Sequence, residues 1–179
     1  MFSSRNHFVD IAIRRAVSAD AATVAELARR TFSEWFGGQN TPEDMAAHNA
    51  RSYGEEIQRR EIEDPDGITL LAESDGRAIA YAQIHRGPAP ACVTSEAPVE
   101  IVRFYVDRPY HGQGIAQTLM RAAIDAARAL GGATVWLGVW ERNPRAIAFY
   151  AKSGFVDAGS HPYIVGSDVQ NDRVMVLAL

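Results

Sequence analysis

The stretch Val99–Met120, VEIVRFYVDRPYHGQGIAQTLM, decides the fold expected of this chain. Its first part, Val99–Val106, is rich in β-branched and aromatic side chains and predicts a strand. A short glycine loop follows. Apolar side chains at helical spacing then predict a long helix over Gln113–Leu130, which Gly131 and Gly132 end. A strand, a loop and a helix in this order are typical of α/β proteins.

The loop His111-Gly112-Gln113-Gly114-Ile115-Ala116 lies at the start of this helix. Helix N-termini leave backbone N–H groups without partners, and glycines let a ligand approach the backbone closely. The loop therefore suits a phosphate or pyrophosphate, although a glycine turn that binds nothing has the same composition. The chain has no P-loop pattern, and Gln117 and Thr134 stand where a dinucleotide fold requires a glycine and an acid.

Strands and helices alternate along the rest of the chain, which predicts an α/β fold with a mixed sheet. We expect further strands at Ile11–Ala16, Ile68–Glu73, Ala78–His85, Thr134–Val139, a short one beginning at Phe155–Val156, and Arg173–Leu179. We expect further helices at Ala19–Phe32, at Pro42 to about Arg60 with an interruption at Gly54, and at Asn143–Ser153 with Asn143 as N-cap. No repeat or linker divides the chain, so we predict a single domain over 1–179 with 1–10 as a flexible tail.

Composition excludes several classes of protein. The chain has 179 residues and a net charge of -4, which does not suit a generally cationic nucleic-acid binder. No apolar run approaches the roughly 18 residues of a membrane helix, and the N-terminus lacks a secretory signal. The lone cysteine, Cys92, cannot form an internal disulfide. We therefore expect a cytoplasmic protein, monomeric or homodimeric, with no nucleic-acid or membrane partner.

Two motifs together resemble one family. The glycine loop resembles motif A of the GNAT acetyltransferases, Q/R-x-x-G-x-G/A, and Leu137–Phe155, LGVWERNPRAIAFYAKSGF, resembles their motif B. The resemblance covers about 11–179, although the acceptor half, about 17–95, matches only in layout. His111 departs from the usual Gln or Arg. The run Val165–Met175 is similar to the PaiA-like polyamine acetyltransferase branch.

The resemblance implies a single-domain GNAT fold, with a mixed, mostly antiparallel sheet of about seven strands that splays between its central strands. It also implies acetyl-CoA as co-substrate. The pantetheine arm would contact the strand around Phe104, Tyr105 and Val106. The pyrophosphate would lie on His111, Gly112, Gln113, Gly114, Ile115 and Ala116. Asn143 would contact the pantetheine arm or serve only as N-cap, and Lys152 would lie near the phosphates or on a solvated surface.

The family's Phe-Tyr pair implies that Tyr150 is the general acid for the leaving thiolate, whereas the alternative is a packed tyrosine. Glu100, 11 residues before His111, is the leading candidate for the base, because resemblance to the histone-acetyltransferase branch implies a catalytic glutamate at this distance. A carboxylate of raised pKa can relay a proton through water. The alternative is an exposed strand glutamate, and Glu34 and Glu96 are weaker candidates. The five histidines share no ligand spacing, so we expect no metal.

We therefore expect an N-acetyltransferase that transfers acetyl directly from acetyl-CoA to a primary amine, with a polyamine as one candidate acceptor. The alternatives are a protein N-terminal or lysine acetyltransferase, and a non-catalytic acyl-CoA-binding sensor. Residues 31–75 carry 11 acids and three arginines, whereas 101–152 carry seven cations and three acids. The basic half would face the coenzyme and the acidic half a cationic acceptor, unless the acidic run is merely a solvated helix.

Overall fold

The fold is known from a computed structural model, which describes residues 10–36, 41–165 and 168–179. The strands are β1 (Ala12–Arg15), β2 (Gly67–Ser74), β3 (Arg77–Arg86), β4 (Pro98–Val106), β5 (Thr134–Trp140), β6 (Val156–Val165) and β7 (Asp168–Ala178). They form one seven-stranded sheet in the order β1-β2-β3-β4-β5-β7-β6. Only β4 and β5 pair in parallel. The predicted mixed, mostly antiparallel sheet is confirmed. The predicted tail falls mainly on 1–9, outside the described residues.

Helices cover both faces of the sheet. They are α1 (Ala21–Phe36), α2 (Pro42–Ser52), α3 (Glu55–Glu63), α4 (Ile115–Ala129) and α5 (Pro144–Lys152). The apolar stripe of α4 packs with Tyr150 of α5 in one core cluster, against inward side chains of β2 to β5. The helices α1 to α3 form a second cluster with Leu71 of β2 and Tyr81 of β3. The predicted break at Gly54 is confirmed, since that residue lies between α2 and α3.

The two C-terminal strands are longer than predicted. We expected only a short strand at Phe155–Val156 and a last strand at Arg173–Leu179, but β6 and β7 pair over almost their whole lengths. Glycine and proline within β6 obscure its period-two pattern. Such residues are tolerated there because β6 is an edge strand.

Pairing between β4 and β5 stops early. Only Pro98, Val99 and Glu100 have partners on β5, so the strands diverge over the second half of β4 and the predicted splay is confirmed. A bulge helps to explain the divergence. Gln83 pairs with Arg103 and Ile84 with Ile101, which leaves Val102 as an extra residue in β4. Bulges of this kind bend the strand that carries them.

The bulge also decides which side chains face α1 to α3. Ile101 packs in the α4 cluster, so its neighbour Glu100 faces the other way. Beyond Val102 the alternation is reset, because Phe104 packs with the α4 cluster and Tyr105 with the α1–α3 cluster. Glu100 and Tyr105 therefore share a face of the sheet despite their odd spacing.

Asp107 fixes the end of β4 where the glycine loop begins. Its side chain is almost fully buried and accepts hydrogen bonds from Arg30 of α1, with Nη2 at 2.8 Å and Nε at 3.3 Å. Its backbone N–H donates to the carbonyl of Ile79 in β3 at 2.8 Å. One residue thereby ties a helix and a neighbouring strand to the start of the loop.

We predict that Asp107→Asn lowers the free energy of unfolding by about 3 kcal/mol, because Arg30 then loses the buried carboxylate that neutralises its charge. The matched control is Glu26→Gln, which removes another carboxylate that pairs with Arg30; that carboxylate lies 3.5 Å from the guanidinium and is 75% exposed. The control should cost less than about 0.5 kcal/mol. Urea unfolding of both variants measures the difference, and equally small losses would contradict this role for Asp107.

Candidate active site

A cavity of about 490 Å³ occupies the gap between β4 and β5. On the α4 and α5 side its wall contains the glycine loop, Asn143 and Tyr150. On the opposite face its wall contains Glu100, Trp140 and Asp172. Because the cavity lies where the two strands separate, it can admit two ligands that approach from opposite faces of the sheet.

The edge of β4 presents free backbone groups to this gap. The N–H of Asp107 bonds to β3, so the alternation of an antiparallel ladder turns the backbone groups of Phe104 and Val106 toward β5. The carbonyl of Val106 accepts a hydrogen bond from Nε2 of His111 at 2.7 Å. The N–H of Val106 and both backbone groups of Phe104 are thus the ones left for a ligand. The side chain of Tyr105 stacks on that of Tyr81, with 5.7 Å between the two ring centroids.

The glycine loop leaves open space around its backbone at the start of α4. Gly112 and Gly114 have φ values of 78° and 81°, and a Cβ added at either would meet nothing within 4 Å. No side chain caps α4, so its first N–H groups are left for a ligand. Ile115 and Ala116 line the cavity. The His111 bond fastens the loop back onto β4, which gives this departure from the family pattern a positioning role.

Two predicted coenzyme contacts lie outside the cavity wall. Gln113 is exposed, and its amide donates to the carbonyl of Pro109 at 3.0 Å. Lys152 is exposed in the last turn of α5. The cation that α5 contributes to the wall is instead Arg145, near the start of the helix.

Asn143 caps α5, as predicted from the sequence. Its Oδ1 accepts a hydrogen bond from the N–H of Ala146 at 3.0 Å. The residue also lines the cavity, so its Nδ2 group is the one left to donate to a ligand. The two roles considered for this residue are therefore compatible.

Tyr150 of α5 lines the cavity on the side of α4 and α5. It is 9% exposed, and its ring lies 6.3 Å from that of Phe104 and 5.5 Å from that of Phe149. Burial raises the pKa of the phenol well above its ordinary value. Tyr150 therefore keeps its proton at neutral pH and can act as a hydrogen-bond donor or an acid.

Glu100 is half-buried on the other side of the gap. Burial raises its pKa to about 7, while the nearby positive charges of His85 and Arg103 act in the opposite direction. A carboxylate with such a pKa can both accept and release a proton near neutral pH. Glu34 and Glu96 are exposed and do not line the cavity.

The acidic segment contributes little to this site. Among its described residues, only Phe32 lines the cavity. Several of its acids are engaged elsewhere: Glu61 with Arg103 at 2.6 Å, Glu73 with Arg14 at 2.7 Å and Asp64 with His85 at 3.3 Å. The expectation that this segment forms an acidic acceptor face therefore lacks support in the described part of the chain.

Sequence reasoning missed the residues that line the far side of the cavity. They are Phe32, Arg103, Gly138, Trp140, His161 and Asp172. Most of these residues lie on β5 to β7. The only sequence signal that could have indicated them is a polar residue inside a strand. They come together because β7 pairs with both β5 and β6.

Within the described ranges, no group of three His, Cys, Asp or Glu side chains is placed to hold a metal ion. None of the helices described there is long and apolar enough to cross a membrane.

Comparisons with known proteins agree with this geometry. The family model described as "Acetyltransferase (GNAT) family" matches residues 24–155. An uncharacterized N-acetyltransferase of Mycobacterium tuberculosis is 34% identical over 160 residues, which cover 89% of this chain and 98% of the relative. An uncharacterized N-acetyltransferase of Lactobacillus delbrueckii subsp. lactis is 30% identical over 153 residues, covering 86% and 88%.

Solved structures show the same fold. The PaiA N-acetyltransferase of Thermoplasma acidophilum, in complex with coenzyme A, superposes with a TM-score of 0.75 at 22% identity, covering 95% of this chain and 99% of that one. The ribosomal-protein-S18-alanine N-acetyltransferase of Escherichia coli gives 0.68 at 19% identity, covering 94% of each chain.

The pKa of Glu100 makes a prediction about stability. Since the folded state raises this pKa from 4.5 to about 7, wild-type stability should fall as pH rises through that window and level off above it. Glu100→Gln removes this dependence, so its stability relative to wild type should increase between pH 5 and pH 8. The upper limit is about 3 kcal/mol, at about 1.4 kcal/mol per pKa unit. Urea unfolding at both pH values tests this, and a constant difference would contradict the shifted pKa.

Proposed function

The chain belongs to the GNAT family of acetyltransferases, and we propose that it transfers acetyl from acetyl-CoA directly to the primary amine of a small cationic molecule. The observation that carries this proposal is the cavity between β4 and β5. Its wall joins an anion-binding loop and a protonated tyrosine on one face to a titrating carboxylate on the other. Such a passage lets a donor and an acceptor meet without a covalent enzyme intermediate.

The residues on the α4 side fit the coenzyme. Gly112 and Gly114 leave open space at the helix N-terminus for a pyrophosphate, and the edge of β4 offers peptide groups to an amide-bearing arm. Nδ2 of Asn143 is a further donor to that arm. Bound acetyl-CoA supplies the acetyl group as an activated thioester. We do not assign Lys152 or the side chain of Gln113 to this site, because neither residue lines the cavity.

Tyr150 serves as the acid. Its phenol holds its proton at neutral pH and would release it to the sulfur as the C–S bond breaks. Glu100 serves as the base. From the opposite face it takes up the proton that the amine loses, through water, as the new C–N bond forms. Tyr150 and Glu100 lie on opposite faces of the sheet. Tyr150 therefore releases its proton at one end of the passage, and Glu100 takes up a proton at the other end.

The experiment that tests this function is thiol release from acetyl-CoA with a panel of acceptors. The panel contains spermidine, spermine, simple monoamines, and peptides with free N-termini or lysines. We expect release with the small cationic amines. Release with peptides alone would shift the acceptor to a protein. No release with any acceptor, despite a raised melting temperature with acetyl-CoA, would favour a coenzyme-binding sensor.

We predict that Tyr150→Phe lowers kcat at least about tenfold with little change in the KM for acetyl-CoA, since the lost interaction belongs to the transition state. Steady-state kinetics with the best amine of the panel measures both constants. A variant with wild-type kcat and an unchanged melting temperature would remove Tyr150 from the chemistry.

We predict that Gly114→Ala weakens acetyl-CoA binding by about tenfold or more, because its methyl group enters the space assigned to the pyrophosphate. Gly131→Ala is the matched control. Gly131 follows the same helix, has a φ of 78° and is equally open around its Cα, but lies far from the cavity. Both variants should lose about 1 kcal/mol of stability from the left-handed backbone.

Calorimetric titration with acetyl-CoA separates the two effects of these substitutions. Equal affinities for the Gly114 and Gly131 variants would show that the pyrophosphate binds elsewhere.

A further inference from the structure

A second carboxylate lies in the cavity on the acceptor side, away from Glu100. Asp172 of β7 is 8% exposed and lines the cavity wall. Within the described residues its carboxylate has no hydrogen bond and no ion pair, unlike Asp107, which is also buried but held by Arg30. A buried carboxylate without a partner costs stability. Such a group therefore points to a ligand that satisfies it.

The wall around Asp172 is shaped to keep this carboxylate open to the cavity. A Cβ added to Gly138 of β5 would lie 3.1 Å from Oδ2 of Asp172 and 3.1 Å from Nε2 of His161. Oδ2 of Asp172 and Nε2 of His161 therefore occupy space beside β5 that a side chain at position 138 would need. His161 pairs with Asp172 across β6 and β7, so the two side chains share one face of the sheet.

The local charges favour a cation at this place. Burial raises the pKa of Asp172, the nearby charge of Glu141 adds to this effect, and His161 opposes it. An ammonium group bound beside Asp172 would compensate the cost of burying the charged carboxylate and lower that pKa again. An anionic or apolar group would gain nothing from the carboxylate.

Position along the sheet separates Asp172 from the chemistry. Glu100 of β4 pairs with Trp136 and Asp172 of β7 with Trp140, so the two acids are offset by about four residues along β5, or roughly 13 Å. They also lie on opposite sides of that strand, which adds a lateral offset of roughly 10 Å. The amine that reacts near Glu100 therefore cannot also be held by Asp172. A second charged nitrogen, joined to the first by a flexible chain, can reach it.

We propose that Asp172, with His161 beside it, binds a second ammonium group of the acceptor, so that the site selects linear di- or polyamines over monoamines. This inference rests on the proposed function for the reacting amine. It adds an anchor, formed by Asp172 and His161, that would select the length and charge of the acceptor. Gly138 belongs to the anchor because its missing side chain leaves room for the two polar atoms.

Direct binding tests the anchor independently of turnover. Spermidine and butylamine are titrated calorimetrically into the full chain saturated with coenzyme A. We expect Asp172→Asn, which preserves shape and removes charge, to weaken spermidine binding by about tenfold or more and to leave butylamine binding unchanged. Asp125→Asn makes an equal charge change at an exposed position of α4, and it should leave the binding of both ligands unaffected.

The outcomes separate this inference from the proposed function. If Asp172→Asn binds spermidine as tightly as wild type, or if wild type binds no spermidine, the anchor is refuted even where amines are acetylated. If the variant loses spermidine affinity but wild type transfers no acetyl group, the anchor stands and the proposed function fails. An unchanged coenzyme A affinity and a melting temperature no lower than that of wild type show that the Asn variant is folded.

Discussion

The early end of pairing between β4 and β5 is the constraint on which the rest of this structure depends. Two neighbouring strands inside a sheet normally satisfy each other's peptide groups, yet here the ladder stops after Glu100. The bulge at Val102 bends β4, Asp107 secures its far end to α1 and β3, and β7 holds the other edge of β5. The gap is thus supported on every side, and the cavity occupies it.

The gap also divides the chemistry between the two faces of the sheet. Burial raises the pKa of both Tyr150 and Glu100, but with different consequences, because their ordinary values differ. The phenol, which is protonated at neutral pH even at its ordinary pKa, becomes harder to ionise, and the carboxyl becomes a group that titrates near neutral pH. In the mechanism proposed above, this one physical cause suits Tyr150 to act as the acid and Glu100 to act as the base. Asp172 lines another part of the cavity and has no role in the proposed proton transfers, so its carboxylate is available to bind a positively charged group of a substrate.

Much of the coenzyme side could be predicted from the sequence, because local rules determine it. The glycine loop and the Asn143 cap are set by backbone conformation and neighbouring residues. The acceptor side could not, since it depends on pairing between β6 and β7, whose polar sequence hides their length, and on a bulge that no motif marks. For Lys152 the sequence left a coenzyme contact and a solvated surface position open; the side chain is exposed in the last turn of α5 and does not line the cavity.

Amide hydrogen exchange with and without acetyl-CoA tests the central claim most directly, namely that the open edge of β4 and the start of α4 together hold the coenzyme. We predict slower exchange for the amides of Phe104 and Val106 and for 114–117, with β1 and β2 unchanged. Protection confined to other segments, or absent from β4 while acetyl-CoA is bound, would contradict the account of the gap as the coenzyme site.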